Sequence, residues 1–342
     1  MFIGDILMKK IAVDAMGGEH APQAIVDAVI KTRKELPNVT FILFGDEQKV
    51  RAAFPKDDDF KQVEFVNTTE VIADSDEPVK AIRRKKDSSM VVAANYVKDK
   101  KADALVSLGN TGALLSSGIF IIGRIKGVER PALMPTMPSQ KGEQGFNIID
   151  VGANAQSKAS YLVQWAQMAN YYAEKIRNVK NPKVALLNNG AEDDKGDPMH
   201  QEAYKLLSET DLNFTGNIEG NELMEGKADV VVTDGFTGNA VLKAIEGTAT
   251  VILHMLKDSL LNSGVIPKIG AGLAKPALRN LAKRFDTKRY GGAVLLGVNG
   301  IVVKPHGRSD ATTIYYAFKQ VDKMLDQNLV AKYTELFKDN KK

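Results

Sequence analysis

Five short segments combine Gly with Asn, Thr or Asp, residue types suited to holding an anion. They are residues 14–19 (DAMGGE), 107–113 (SLGNTGA), 150–154 (DVGAN), 187–196 (LNNGAEDDKG) and 233–239 (TDGFTGN). Glycine lets the backbone approach a ligand closely, and Asn and Thr add neutral hydrogen-bond donors. Lys195 adds a cation to the fourth segment. If the segments lie side by side, they form one wall rich in N–H groups, which suits phosphate or a developing oxyanion.

Each segment taken alone has a simpler explanation, because Gly and Asn are common in the turns between strands and helices. Asp14, Asp150 and Asp234 could equally cap helices or accept hydrogen bonds from buried donors. The repetition of one composition in five segments is what favours a site.

The four histidines divide by context. His20 and His306 sit in Gly-bearing turns, which makes them candidates for a polar site. We assign His254 to packing, because it lies at helical spacing from Val251 and Met255. We assign His200 to the surface.

Predicted strands precede the five segments, and predicted helices follow them. Apolar runs predict strands at residues 11–13, 40–44, 63–66, 104–108, 146–151, 184–187, 213–218 and 230–232, with extended chain at 131–138 and 293–303. Helical spacing predicts helices from Pro22 and over residues 88–98, 113–122, 161–176, 199–207 and 311–325. This alternation is typical of an α/β fold, a mostly parallel, doubly wound sheet with helices on both faces. In such sheets ligands bind beyond the carboxyl ends of the strands, where the five segments lie.

We expect a single α/β catalytic domain over residues 9–335, because no low-complexity linker divides the chain. Residues 247–290 interrupt the alternation and predict a helical projection within that domain. Residues 1–8 form an N-terminal extension, with Met8 as an alternative start.

Composition removes several classes of site. The 342 residues include no cysteine, which excludes disulfides, zinc–thiolate sites, iron–sulfur clusters and a cysteine nucleophile. The sequence lacks a GxxxxGK[ST] phosphate loop, a GxGxxG fingerprint, an HExxH pair and a GxSxG elbow. No apolar run approaches the roughly 20 residues of a membrane span, and no secretory signal is evident, so we expect a cytoplasmic protein.

The basic charge is local. Residues 257–289 carry eight basic and two acidic residues, a net charge of +6 in a chain of net charge +4. Within them, residues 273–285 place apolar and basic side chains on opposite sides of a helical wheel. Three interpretations remain open: a helix packed on its own protein, a dimer contact, or a surface for an anionic membrane or an acidic carrier protein.

These segments resemble a known family. The pieces IAVDAMGGEHAP, SLGNTGA, DVGAN, LNNGAEDDKG, ADVVVTDGFTGNAVLK, YGGAVLLGVNG and VKPHGRSDA are similar to those of the acyl-(acyl carrier protein):phosphate acyltransferases of bacterial phospholipid synthesis, the PlsX family. They run in the family's order from Ile11 to Ala311. Two positions depart from the family pattern: Glu19 replaces Asp, and Arg308 replaces a small polar residue.

The resemblance implies that inorganic phosphate attacks the thioester of a fatty acyl chain carried by acyl carrier protein. The product, an acyl phosphate, would supply a membrane glycerol-3-phosphate acyltransferase downstream. The resemblance also implies a fold similar to the isocitrate/isopropylmalate dehydrogenases and phosphotransacetylases. It implies a homodimer whose helical tip can meet an anionic membrane surface, with no cofactor, no metal and no nucleic-acid partner.

Within this hypothesis Lys195 orients phosphate and Asn239 polarises the thioester carbonyl. The remaining candidates, for substrate binding, are Asp14, Gly17, Gly18, His20, Gly109, Asn110, Thr111, Gly112, Asp150, Asn154, Asn188, Gly190, Asp234, Gly235, Thr237, Gly238 and His306.

Two other functions remain as alternatives. An NAD-dependent decarboxylating dehydrogenase of the same fold would need a nucleotide pocket and a carboxylate cluster for a divalent metal, for which Asp14, Asp150 and Asp234 are the available residues. A non-catalytic regulator that binds a carrier protein or a membrane would need the basic surface but not five matching turns.

Overall fold

The computed structural model of the chain describes residues 8–142, 144–262, 264, 269–270, 272–277 and 287–338. Their contacts divide the chain into two compact units. Unit 1 comprises Met1–Pro135, Tyr171–Asn178 and Lys288–Lys342, and unit 2 comprises Thr136–Asn170 and Val179–Thr287. Each unit is built on its own sheet.

The sheet of unit 1 has seven strands in the order β3-β2-β1-β4-β12-β11-β5. The strands are β1 Lys9–Asp14, β2 Val39–Gly45, β3 Val63–Asn67, β4 Ala104–Val106, β5 Ala132–Met134, β11 Ala293–Leu296 and β12 Ile301–Lys304. The first five in this order are parallel, whereas β11 runs antiparallel to both neighbours. Ile11, Ala12 and Val13 are fully buried because helices cover the central strands.

The helices of unit 1 are short and mostly capped. They are α1 Gln23–Arg33, α2 Glu47–Ala52, α3 Pro78–Arg84, α4 Ser89–Lys98, α5 Thr111–Ser117, α9 Ala311–Asp326 and α10 Leu329–Leu336, with a π-helical turn at Gly118–Ile122 and a 3₁₀ turn at Thr287–Tyr290 that begins in unit 2. Asp310 begins α9 by accepting a hydrogen bond from the backbone N–H of Thr313 at 3.0 Å. Helices α1 and α9 pack against each other.

The sheet of unit 2 has five strands in the order β6-β7-β10-β8-β9. The strands are β6 Thr136–Met137, β7 Phe146–Ile149, β8 Val184–Leu187, β9 Phe214–Ile218 and β10 Val230–Val232. The four from β7 to β9 are parallel, and β7, β10 and β8 are buried along their full length. The helices are α6 Ala159–Lys175, in which the chain passes into unit 1, α7 Pro198–Ser208 and α8 Gly235–Asn262, with a 3₁₀ turn at Leu223–Glu225.

The predicted fold class is confirmed, because the chain is α/β with mostly parallel strands. The prediction of one sheet is wrong, since the strands form two. Apolar periodicity identifies a strand by its burial, but pairing is set by hydrogen bonds between residues far apart in the chain. The extended segment 293–303 is two antiparallel strands, β11 and β12.

The prediction of one catalytic domain over residues 9–335 stays a prediction. The predicted projection at 247–290 begins as the continuation of α8, which is a single helix from Gly235 to Asn262. Much of the rest of the projection, including residues 278–286, lies outside the described residues, as does the extension before Met8. Among the residues that the structure describes, no helix is long and apolar enough to cross a membrane.

Candidate active site

Asp14, the last residue of β1, is the centre of a buried hydrogen-bond cluster in unit 1. Its side chain accepts hydrogen bonds from the hydroxyls of Ser89 and Ser107, each at 2.6 Å. Burial raises the pKa of the Asp14 carboxyl, and the serine hydrogen bonds oppose that rise. Both carboxylate oxygens of Asp14 therefore accept hydrogen bonds from buried donors. Of the two structural roles considered for Asp14, helix cap and acceptor for buried donors, the structure shows the second.

The first two Gly-rich turns, 14–19 and 107–113, touch at Gly17. A Cβ on Gly17 would lie 2.6 Å from a carboxylate oxygen of Asp14 and 2.7 Å from the backbone nitrogen of Gly109. Gly18 has a φ of +97°, and a Cβ there would lie 2.8 Å from Leu108 Cβ. The structure therefore brings Gly17, Gly18 and Gly109 together at the carboxyl ends of β1 and β4. The approach is so close that only glycine fits at Gly17 and Gly18.

A third turn, residues 305–310, joins this edge of the unit 1 sheet. The N–H of Glu19 donates to the carbonyl of Gly307 at 3.0 Å. Lys304 Nζ donates to the carbonyls of Pro305 at 2.9 Å and Leu108 at 3.3 Å. Burial lowers the pKa of Lys304 to about 8, against the attraction of nearby carboxylates. Lys304 is not among the predicted site residues, because its only signal in the sequence is its place at the end of an apolar run.

Asn110 and Gly112 shape the start of α5. The Asn110 side-chain oxygen accepts from the N–H of Ala113 at 2.9 Å, and its amide nitrogen donates to three backbone carbonyls within residues 73–76. A Cβ on Gly112 would lie 2.5 Å from Pro78 Cγ, so Gly112 permits the packing of α5 on α3. Thr111 is exposed. Of these three candidates, only Thr111 presents its side chain to solvent.

His20 and His306 are exposed on two turns of unit 1 that are joined by an ion pair. Arg308 Nε donates to Glu19 Oε1 at 2.8 Å, and these side chains are 75% and 54% exposed. The two positions that depart from the family pattern thus contact each other, and the longer reach of Glu compared with Asp suits this contact. Solvent screens the pair, so it contributes little to stability.

Three of the predicted turns meet at one edge of the unit 2 sheet. They follow β7, β10 and β8, which are neighbouring parallel strands. Parallel strands end at the same edge, so residues 150–154, 233–239 and 187–196 are brought together there. The structure thus groups the five predicted turns as two in unit 1 and three in unit 2.

Asp150 builds the first of these turns. It is fully buried, and one carboxylate oxygen accepts from the backbone N–H groups of Gly152 and Ala153 at 3.2 and 3.0 Å. The other oxygen accepts from the backbone and side-chain nitrogens of Asn154, each at 2.9 Å. The carboxylate therefore fixes the turn.

The start of α8 approaches that turn closely at two glycines. A Cβ on Gly235 would lie 2.1 Å from the carbonyl oxygen of Asn154, and one on Gly238 would lie 2.0 Å from that of Asp150. Asp234 caps the helix by accepting from the N–H groups of Phe236 and Thr237, both at 3.0 Å. Gly235 and Gly238 are thus brought against the turn at Asp150, Thr237 is held by Asp234, and Asp234 itself matches the helix-cap interpretation.

The third turn places Lys195 at the surface of unit 2. Asn188 holds the turn closed by donating to the carbonyl of Lys195 at 3.1 Å, and the stem of Lys195 lies over Gly190, whose Cβ would be 2.7 Å from Lys195 Cγ. The Lys195 side chain is 43% exposed, and its Nζ lies 3.9 Å from the nearest Glu192 oxygen, at the limit of an ion pair. The ammonium is therefore available to an anion.

Asn239 lies in the first turn of α8 and packs against Gly152, where an added Cβ would lie 3.3 Å from Asn239 Cβ. Its side chain is half-buried and makes no hydrogen bond to any residue in the described part of the chain. An amide held in place by packing, with its donors unused, fits the predicted role toward a carbonyl oxygen.

The assignment of His200 to the surface is wrong. Its side chain is 14% exposed, with Nδ1 2.9 Å from Asp197 Oδ1 and Nε2 3.6 Å from Asp234 Oδ2. Asp197 is recognisable as an N-cap before Pro198, but Asp234 comes from a different turn, which the sequence pattern of α7 does not reveal. The assignment of His254 to packing is also wrong, because His254 is exposed on α8.

The carboxylates do not form a metal site within the described residues. No group of three or more His, Asp or Glu there is placed to hold an ion. Asp14 belongs to unit 1, whereas Asp150 and Asp234 belong to unit 2, and each one is hydrogen-bonded within its own surroundings.

Comparison with known proteins gives a consistent result over nearly the whole chain. The model of a family described as "Fatty acid synthesis protein" matches residues 9–332. A phosphate acyltransferase of Lactobacillus gasseri is 72% identical over 98% of this chain and 100% of the relative. A phosphate acyltransferase of Latilactobacillus sakei is 53% identical over 96% of this chain and 97% of the relative.

Solved structures share the fold at low sequence identity. The phosphotransacetylase EutD of Staphylococcus aureus has a TM-score of 0.57 and 20% identity, covering 92% of this chain and 94% of its own. A phosphotransacetylase of Streptococcus pyogenes has a TM-score of 0.58 and 17% identity, covering 93% and 94%. The predicted similarity to the phosphotransacetylase fold is therefore confirmed.

Proposed function

The chain belongs to the family of fatty acid synthesis proteins whose curated relatives are phosphate acyltransferases, and we propose that it transfers a fatty acyl group from acyl carrier protein to inorganic phosphate. In this reaction a phosphate oxygen attacks the thioester carbonyl carbon, the C–S bond breaks, and the carrier thiol leaves. The products are an acyl phosphate and the free carrier protein.

The observation that carries this proposal is the pair of free donors in unit 2. In the described part of the chain, Lys195 offers an ammonium at the limit of contact with the Glu192 carboxylate, and Asn239 offers an amide without a hydrogen bond at the start of α8. Phosphate must be held and aimed, which suits the cation. The carbonyl oxygen gains negative charge as the tetrahedral intermediate forms, which suits a fixed neutral donor.

The proposed reaction needs no nucleophile from the protein. Phosphate is itself the nucleophile, and the chain has no cysteine. A thiol has a pKa of about 8.5, so the departing thiolate is a good leaving group. The protein's task is to bring two substrates together and to stabilise charge.

We extend the proposal to assembly and location: the protein works as a homodimer in the cytoplasm, with a helical tip that meets an anionic membrane surface. Support comes from the far half of α8, where Val251, Ile252, Met255 and Leu256 are 37–64% exposed in the single chain. Ile269 and Leu273 beyond it are 60% and 80% exposed. The four side chains on α8 share one face of the helix, and an exposed apolar face needs a partner, while the surrounding excess of basic charge suits an anionic one. Such a location would deliver acyl phosphate to a membrane glycerol-3-phosphate acyltransferase.

A direct assay tests the reaction. Purified protein is incubated with palmitoyl-carrier protein and radiolabelled phosphate, and acyl phosphate is trapped with hydroxylamine. We expect a hydroxamate whose formation depends on phosphate. A parallel assay with palmitoyl-coenzyme A tests which acyl donor the protein uses, separately from whether it transfers an acyl group to phosphate. Product from coenzyme A alone would overturn the carrier-protein donor, and no phosphate-dependent product from either donor would overturn the proposed function.

A further inference from the structure

His200 joins the two turns of unit 2 that carry the proposed catalytic groups. It lies in the first turn of α7 with only 14% of its side chain exposed. On one side, Nδ1 lies 2.9 Å from Oδ1 of Asp197, the N-cap of α7 that follows Lys195 and Gly196. On the other side, Nε2 lies 3.6 Å from Oδ2 of Asp234, the cap of α8. One imidazole thus faces a carboxylate at each ring nitrogen.

The turn that carries Lys195 is packed tightly on this histidine. Gly196 has a φ of +93°, and a Cβ there would lie 2.7 Å from His200 Cβ. The next residue, Gln201, donates its side-chain amide to the carbonyls of Asp194 and Gly196 at 2.7 and 3.3 Å. The start of α7 therefore holds the Lys195 turn, and any shift of His200 moves that turn.

The electrostatics favour a charged ring. The nearby Asp234 carboxylate is the largest cause of a raised pKa for His200; burial opposes it, and Asp197 adds to it. Hydrogen bonds from the backbone and ring of His200 lower the pKa of Asp197. Burial acts to raise the pKa of Asp234, but His200 and Thr237 hold it well below its usual range. Asp197 from α7 and Asp234 from the α8 turn are the charged groups that face the ring.

We propose that His200 is a positioning residue for the acyl transfer: its protonated ring clamps Asp234, and with it the start of α8 that bears Asn239, to the turn that bears Lys195. The inference rests on the proposed function, in which Lys195 and Asn239 contact the reactants.

The clamp has a defined pH dependence. Because the folded-state pKa is raised, the contribution of His200 to folding is fully present below its unfolded pKa of about 6.5. It is lost as the pH rises through the raised folded-state pKa, since the neutral ring no longer attracts both carboxylates. The turnover rate should fall over the same range, while the KM for the acyl donor stays constant.

The first test compares the pH profile of kcat at saturating phosphate in the wild type, His200→Gln and Lys205→Gln. We expect a fall on the basic side for the wild type and for Lys205→Gln, whose lysine is exposed on the same helix as His200. His200→Gln should start about tenfold lower, equivalent to about 1.4 kcal/mol, and lack that fall. Titration of phosphate itself affects all three alike. A basic fall unchanged in His200→Gln would overturn the proposal.

The second test requires no catalysis. With only four histidines in the chain, the ring protons of His200 can be followed by NMR in selectively labelled protein and identified by their loss in His200→Gln. If that variant does not fold, loss in Asp197→Asn of the shifted titration identifies them instead. We expect a midpoint above about 6.5 that drops in Asp234→Asn.

A wild-type midpoint at or below that value would overturn the clamp whatever the activity of the protein. Conversely, if the ring titrates as expected but no acyl phosphate forms in the direct assay, the clamp stands and the proposed function fails. The two failures are therefore distinguishable.

Discussion

The polar side chains at the carboxyl ends of the unit 2 strands have two different roles. Asp150, Asp234 and Asn188 have their oxygens or nitrogens engaged by nearby backbone groups, so they hold the turns in shape. Within the described residues, the side-chain donors of Lys195 and Asn239 instead make no hydrogen bond. Donors held rigidly before the reaction begins stabilise a developing charge without reorganisation, which is where most of the catalytic advantage of such sites arises.

Removing the amide of Asn239 should slow the chemical step. For Asn239→Ala we expect kcat to fall by about 10²–10³-fold, the usual effect of losing one oxyanion donor. The measurement is steady-state acyl phosphate formation, with unfolding curves to confirm the fold. Asn221→Ala, at an exposed asparagine of unit 2, is the matched control and should keep normal kcat.

Removing the ammonium of Lys195 should act on phosphate. Lys195→Ala is expected to lower kcat/KM for phosphate by about 10–100-fold, as a charge-assisted contact of about 1.5–3 kcal/mol is lost. The KM for the acyl donor should not change. Lys205→Ala, at an exposed lysine on α7, is the control. Near-normal turnover in both Lys195→Ala and Asn239→Ala would show that the assignment of the site is wrong.

At the scale of elements, the start of α8 is fitted against the turn at Asp150. The N-cap Asp234 fixes the first backbone N–H groups, and two glycines allow the helix to approach to van der Waals distance. Further along α8 the constraint disappears, since a Cβ on Gly247 would meet nothing within 4 Å. Gly238, at the start of α8, is thus tightly packed, whereas Gly247 in the same helix is not.

Replacement of Gly238 and of Gly247 by alanine should change the stability of the fold in opposite directions. Gly238→Ala places a Cβ 2.0 Å from the carbonyl oxygen of Asp150, so we expect it to destabilise the fold by about 1–3 kcal/mol or more and to reduce kcat. Gly247→Ala should stabilise it by about 0.5–1 kcal/mol, the ordinary gain from replacing glycine inside a helix. Urea unfolding of both variants measures the difference. Equal effects would contradict the packing of α8 described for this site.

At the scale of the whole molecule, the far half of α8 leaves large apolar side chains exposed in the single chain. Val251, Ile252 and Met255 are more than half exposed, and they share one face of the helix. Exposed apolar surface of this kind marks a site of association. We propose that α8 supplies the dimer contact and that Ile269 and Leu273 supply the membrane contact, so substitutions can test the two separately.

Charges introduced on α8 should dissociate the dimer. For Ile252→Glu/Met255→Glu we expect monomers in sedimentation velocity where the wild type sediments as a dimer, because burying two carboxylates at an interface is costly. Glu246→Gln, an exposed change earlier in the same helix, should remain dimeric. A wild type that sediments as a monomer would contradict the proposed assembly.

Charges introduced beyond α8 should reduce membrane contact. Ile269→Glu/Leu273→Glu removes two side chains that are 60% and 80% exposed, so we expect less protein to float with anionic vesicles than for the wild type. Neutral vesicles should recover less of the wild type than anionic ones, because basic residues surround this segment. Equal flotation of variant and wild type with anionic vesicles would remove the membrane contact from the proposal.

The amino-acid sequence by itself determined the strands, most of the long helices and the turns between them. Ile11 to Val13 and Val230 to Val232 are recognisable because a fully buried strand is a short apolar run ended by polar turn residues. The same local signal located the Gly-rich turns, and the order of their motifs identified the family. These features depend on residues adjacent in the chain, so a single sequence carries them.

Only the tertiary structure decided what pairs with what. It divided the strands into two sheets, directed Asp14 to two serines from distant segments, and brought His200 to Asp234. His200 has the polar neighbours of a surface residue in α7, and nothing in them points to the cap of another helix. Hydrogen bonds between segments far apart in the chain depend on how the whole polypeptide packs, and local composition and periodicity do not encode that packing.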